Sequence, residues 1–167
     1  MQYTRADTPA YIVWVEQRPT TRGKGKAAYF NAVKTAAAAL ITEPINSSDV
    51  EVEIAYTTTS PPATRSDTDN ISKPTLDALK GVAYVDDRQV RSVTVSMFDR
   101  TLNHEVRGRV EHIGRLFYSP AGHVVLIKIY SDARLADLGG EERVKQGHYE
   151  AWRREFDRAL DPPSGPA

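Results

Sequence analysis

The chain of 167 residues has no cysteine, which excludes a disulfide framework, a thiolate metal site and a cysteine nucleophile. Histidine is scarce, and His104, His112, His123 and His148 show no HExxH or comparable ligand spacing. A bound metal is therefore expected among oxygens. No apolar run approaches the length of a membrane span, and the N-terminus lacks a charged head followed by an apolar stretch and a cleavage site. The expected location is the cytoplasm. Net charge is missing too, since 22 Lys and Arg balance 22 Asp and Glu. That balance argues against a simple nucleic-acid binder, which normally carries a basic excess.

The distribution of charge says more than its sum. Arg18, Arg22, Lys24, Lys26 and Lys34 follow one another with no acid among them. Acids gather instead over residues 67–87 and toward the C-terminus. A local basic arm beside a local acidic cluster fits a metal-dependent enzyme acting on a polyanion. On charge alone, a solvated basic loop is an equal reading.

The length suits one domain with a real core. Residues 11–16 (YIVWVE) read as a strand, and residues 18–26 as a flexible basic loop broken by Pro19, Gly23 and Gly25. Residues 27–41 read as an alanine-rich helix stopped by Pro44. Residues 50–56 (VEVEIAY) alternate at period two, with Val50, Val52, Ile54 and Tyr56 on one face. A second helix is expected to be capped at Ser72 or a polar neighbour, with Pro74 in its first turn, and to end at Gly81 near Leu79. Residues 90–98 and 124–130 read as strands, 105–113 as a weaker strand, and 118–123 as a turn. Residues 141–160 carry a helical stripe of Val144, Trp152, Phe156 and Leu160. The expected fold is α/β (α+β), a single domain with a small mixed β-sheet flanked by helices. Its expected limits are residues 1–131, followed by a helical extension over 132–160 and a disordered tail over 161–167.

Residues 65–90, RSDTDNISKPTLDALKGVAYVDDRQV, are the most informative stretch. Asp67 and Asp69 are two apart, Lys73 follows four later, and Asp86 and Asp87 precede a strand. In an extended loop, Asp67 and Asp69 turn toward one point because Thr68 takes the other side. Carboxylates brought from two separated points are what Mg²⁺ needs, since it leans on a few carboxylates, several waters and a substrate phosphate. Each element also has an ordinary reading: Asp and Asn as turn or cap residues, Lys73 paired with Asp77 at i, i+4, and Asp86–Asp87 as a plain turn.

The order D-x-D-N-x-x-K, D-x-L, D-D-x-Q-V resembles the RusA family of Holliday junction resolvases. Asp67, Asp69 and Asp87 stand where that family's essential carboxylates stand, and Lys73 where its catalytic lysine stands. Asn70, Asp77, Gln89 and Val90 also match the family pattern. The resemblance implies catalysis by Asp67, Asp69, Lys73 and Asp87, with metal held by the three aspartates. It further implies Mg²⁺, with Mn²⁺ as a substitute, and a homodimer that resolves branched DNA by paired symmetric nicks in recombination and repair. Arg18, Arg22, Lys24 and Lys26 would then contact the DNA backbone. Two neighbours in an extended segment point to different sides, so one of Asp86 and Asp87 faces the site while the other closes the turn. The matched position favours Asp87. The contrasting expectation is a non-catalytic junction-DNA or partner-binding protein that keeps the fold. A sugar-nucleotide transferase with a D-x-D is a third reading, weakened by the short chain and the lack of a Gly-rich nucleotide loop.

Overall fold

The computed structural model describes residues 9–20, 23–60, 67–102 and 110–131. The helix expected over 141–160, the extension and the tail lie outside them. Alternation drives the central strand β2 (Val50–Thr58), whose Val50, Val52, Ile54 and Tyr56 are all buried. Each such side chain contributes roughly 1.5–3 kcal/mol by leaving water. Strand β1 (Tyr11–Val15) and strand β4 (His123–Ser131) bury Val13, Val125, Ile127 and Ile129 on the same face. Strand β3 (Val90–Asp99) lies at the edge of a four-stranded sheet of order β1-β4-β2-β3. The β1–β4 and β4–β2 pairs are antiparallel and β2–β3 is parallel. The sheet is mixed and the domain α+β, as the sequence led us to expect.

Helices α1 (Gly23–Ala38) and α2 (Thr68–Leu79) cover the buried face. Tyr29 and Thr75 join them through a hydroxyl contact of 2.7 Å, and Thr75 also donates to the Ile71 carbonyl. Burial pushes the Tyr29 hydroxyl pKa well up, so it stays a neutral hydrogen-bonding group. Helix α3 (Val110–Tyr118) packs on the opposite face, where Leu116 meets Val124 and Leu126.

Three local expectations are corrected. Helix α1 starts at Gly23, so Lys24 and Lys26 belong to its first turns and not to a flexible loop. A Cβ added at Gly25 would meet the Thr20 methyl at 2.7 Å; the glycine there serves close approach and leaves the chain helical. Helix α2 begins four residues before Ser72, capped by Asp67 in extended conformation, and Pro74 lies inside it. Pro74 is buried there, and its packing offsets the hydrogen bond that a proline interior costs. Residues 110–113, expected at the end of a weak strand, form the start of α3, because His112 and Leu116 bury at i, i+4 spacing.

Strands β1, β2 and β3 run in the same direction, which follows from their pairings with β4 and with each other. The segments after β1 and after β2 therefore leave from one end of the sheet. The start of α1 and the start of α2 lie at that end, and α2 returns to the other, where Val50 pairs with Val90.

Candidate active site

Between α2 and the start of β3 is a cleft of about 230 Å³ lined by Ser72, Lys73, Leu76, Asp77, Asp87 and Val90. Ser72, Lys73, Leu76 and Asp77 fall on one face of α2 by their i, i+4 and i, i+3 spacing. Asp69 is four residues before Lys73 and continues that face one turn nearer the N-terminus. Lys73, Asp77 and Asp69 are all exposed to solvent. The floor is firm, because the Tyr84 hydroxyl donates to the Leu76 carbonyl at 2.9 Å. Burial, then the charges of Asp87 and Asp77, raise the Tyr84 pKa and keep that donor protonated.

Asp87 opens a 3₁₀ turn over Asp87–Gln89 that follows a sharp reversal at Gly81. Gly81 has φ of 74°, a left-handed conformation that favours glycine. Asp86 caps the 3₁₀ turn by accepting from the Arg88 backbone N–H at 2.9 Å. That bond is the main cause of its lowered pKa. Asp87 faces the cleft instead, and its Oδ2 accepts from Lys80 Nζ at 2.7 Å. The two neighbours thus divide into a turn-closing residue and a cleft-lining one.

Gln89 fixes this turn to the rest of the sheet. Its Oε1 accepts from the Val85 and Asp86 N–H groups, each at 2.9 Å. Its Nε2 donates to the Ile45 carbonyl at 3.0 Å and the Ser48 carbonyl at 2.9 Å. We expect Gln89→Ala to lower stability by roughly 2 kcal/mol, at the low end for four hydrogen bonds on a partly exposed turn. A urea titration measures this as a lower midpoint at constant slope; an unchanged midpoint contradicts the role.

The three aspartates singled out from sequence are not gathered into one cage. Among the described residues no group of three acidic or histidine side chains stands ready to hold a metal. The reason is local: residues 68 and 69 are helical, so Asp67 and Asp69 do not share a side as they would in an extended loop. Asp67 occupies the N-cap without a capping hydrogen bond from its side chain. A helix rises about 1.5 Å per residue, which sets Asp67 roughly 15 Å along the axis from Asp77. Asp87 lines the cleft with Lys73 and Asp77 lower down α2. Sequence reasoning missed Lys80 as a partner of Asp87, and gave Asp77 a pairing with Lys73 and a match to the family pattern but no place in the site. The signal for Asp77 was its spacing with Asp69 and Lys73 on one face of α2, whereas Lys80 lies just past the end of that helix and pairs across the Gly81 reversal.

Of the four basic residues, Arg18 and Lys26 are exposed and Lys24 lies in the first turn of α1, which contains no acid. Arg22 lies outside the described residues. At the same end of the sheet, His123 Nδ1 is 2.8 Å from the Tyr56 hydroxyl and 3.2 Å from Thr58 Oγ1. Burial, followed by the charges of Arg18 and Arg100, lowers the His123 pKa.

A mixed sheet with α1 and α2 on one face and α3 on the other, and a charged cleft at the β2–α2–β3 crossover, define the α+β domain. Residues 2–111, which span β1 to the start of α3, match the family model of the endodeoxyribonuclease RusA, and the chain belongs to that family. The chain has no match among curated proteins.

Proposed function

We propose that the protein is a Mg²⁺-dependent, structure-selective endodeoxyribonuclease that resolves four-way DNA junctions by paired nicks. The observation that carries this reading is the cleft where Lys73, Asp77 and Asp87 face one another inside a domain of an endodeoxyribonuclease family. The donor set fits a hard cation, since every donor is a carboxylate oxygen and Asp87 already accepts a cationic group at 2.7 Å. Mg²⁺ needs only one or two protein carboxylates beside waters and substrate phosphate, so a three-acid cage is not required before DNA binds. In this reading Asp87, with Asp77 beside it on the cleft wall, would hold one Mg²⁺ ion, and Asp67 and Asp69 at the start of α2 would serve a second ion bound together with the DNA phosphate. When bound, the metal would lower the pKa of water and neutralise charge on the phosphate.

The chain's own residues supply the rest. Lys73 places a fixed positive charge where the phosphodiester becomes more anionic, and its flexible stem suits a phosphate oxygen. Gln89 and Tyr84 hold the two walls of the cleft in place. Arg18, Arg22, Lys24 and Lys26 contact the DNA backbone, and the start of α1 adds N–H groups and a helix dipole favourable to phosphate. A four-way junction is nearly two-fold symmetric, so two opposed nicks call for a C2 homodimer.

Removing both Lys24 and Lys26 charges is expected to weaken DNA binding and flatten its salt dependence by about 1–2 in log–log slope. Cut positions stay the same, because backbone contacts position without specifying. A binding assay across salt concentrations checks this, and unchanged affinity and slope would remove the basic start of α1 from the interface.

Incubation of a synthetic four-way junction with the protein and Mg²⁺ tests the reading. Paired nicks on opposed strands, with linear duplex left intact, support it. The second reading, a junction-binding protein without catalysis, draws on the separation of Asp67 from Asp87 by the length of α2 and predicts binding without cutting.

A further inference from the structure

Lys80 is held by residues on both sides of the cleft's lower rim. Its backbone N–H closes the end of α2 on the Leu76 carbonyl, while its ammonium reaches across the Gly81 reversal to Asp87. The charges of Asp87, Asp86 and Asp77 all act on it. Arg91, the nearest cation along β3, pairs with Asp49 at 2.8 Å. Both ends of the Lys80–Asp87 pair are about half exposed, at 46% and 59% of side-chain area. An exposed pair of this kind is held only weakly. It is weak enough for a divalent cation to displace and strong enough to compete with one.

We propose that Lys80 is a tethered counter-cation that occupies Asp87 before metal binds, and so sets the metal affinity of the site. The inference rests on the reading of Asp87 as a metal-holding residue. An ammonium and a divalent ion cannot share the same carboxylate oxygen without strong repulsion. Metal on either oxygen of Asp87 would sit within a few ångströms of the ammonium and be repelled by it, so metal binding competes with the Lys80 contact, and a displaced ammonium would be left at the rim of a cleft that takes phosphate. Lys80 acts through Asp87 and is a positioning residue. The arrangement keeps the free enzyme weakly loaded and favours loading when DNA phosphate adds its own oxygens.

The test is Mn²⁺ binding to the 167-residue chain without DNA, followed by calorimetry or by the electron-spin signal of free Mn²⁺. Wild type is compared with Lys80→Gln, Lys80→Arg and Asp87→Asn, each checked for an intact fold by its thermal melt. Lys80→Gln is expected to bind Mn²⁺ roughly fivefold tighter, as removal of one nearby positive charge in a high-dielectric setting allows. Lys80→Arg stays near wild type, and Asp87→Asn binds more weakly. Equal or weaker binding by Lys80→Gln, with binding still dependent on Asp87, overturns the counter-cation role and leaves the active-site reading standing. Binding that is indifferent to Asp87→Asn overturns the active-site reading and this inference together, and binding absent in both wild type and Lys80→Gln overturns this inference.

Discussion

Asp87→Asn is expected to abolish nicking of a four-way junction, with a loss of at least about 10³-fold, or ~4 kcal/mol of barrier. Asp86→Asn, changing the neighbouring residue in the same way, is expected to stay within about tenfold of wild type. The contrast follows from geometry, since Asp86 accepts from the Arg88 N–H whereas Asp87 lines the cleft with Lys73 and Asp77. An asparagine at position 86 keeps a side-chain oxygen able to cap the turn. At position 87 it removes the charge that a metal needs. Initial rates on labelled junctions at several Mg²⁺ concentrations separate the two variants, and high Mg²⁺ does not rescue Asp87→Asn. The reverse ranking would transfer the metal-holding role to Asp86, and equal loss would mean that the pair acts jointly.

Asp69→Asn is expected to be as damaging to cleavage, while junction binding is retained or becomes tighter. Asp69 continues the cleft face of α2 one turn above Lys73, near the helix N-terminus where phosphate is favoured. In the proposed reading, removing its charge takes away a metal-holding carboxylate and also a repulsion against DNA. Gel-shift affinity and cleavage rate measured on the same preparations test both parts. Activity within about tenfold of wild type corresponds to a loss of only ~1.4 kcal/mol. That is too little for a group that holds the metal, and Asp69 would leave the site.

Much of the sheet was legible because its strands obey period two: Val50, Val52, Ile54 and Tyr56 alternate with polar residues and bury one face. The edge position of β3 was not legible. Val93, Val95 and Met97 alternate in the same manner, yet Val93 and Met97 are more than a third exposed, because α1 and α2 do not cover the sheet out to its edge. The start of α2 was misjudged for a different reason. Pro74 favours a helix's first turn, and nothing local reveals that tertiary burial holds it inside a helix begun at Thr68. That shift of four residues turned a loop of two convergent aspartates into an N-cap and a helical residue. The division between Asp86 and Asp87 was legible, since neighbours before a strand point apart. Lys80 was not, because its partner is seven residues away across a reversal at Gly81.

The location of the metal is the central claim, and Mn²⁺-induced broadening of backbone amide NMR signals tests it most directly in an 18.6 kDa chain. Substoichiometric Mn²⁺ is expected to erase first the signals of the cleft walls, residues 72–77 and 86–90, with Asp69 and Asn70 following. Broadening centred on the end of the sheet around His123, or spread evenly over the acidic surface, would contradict the account.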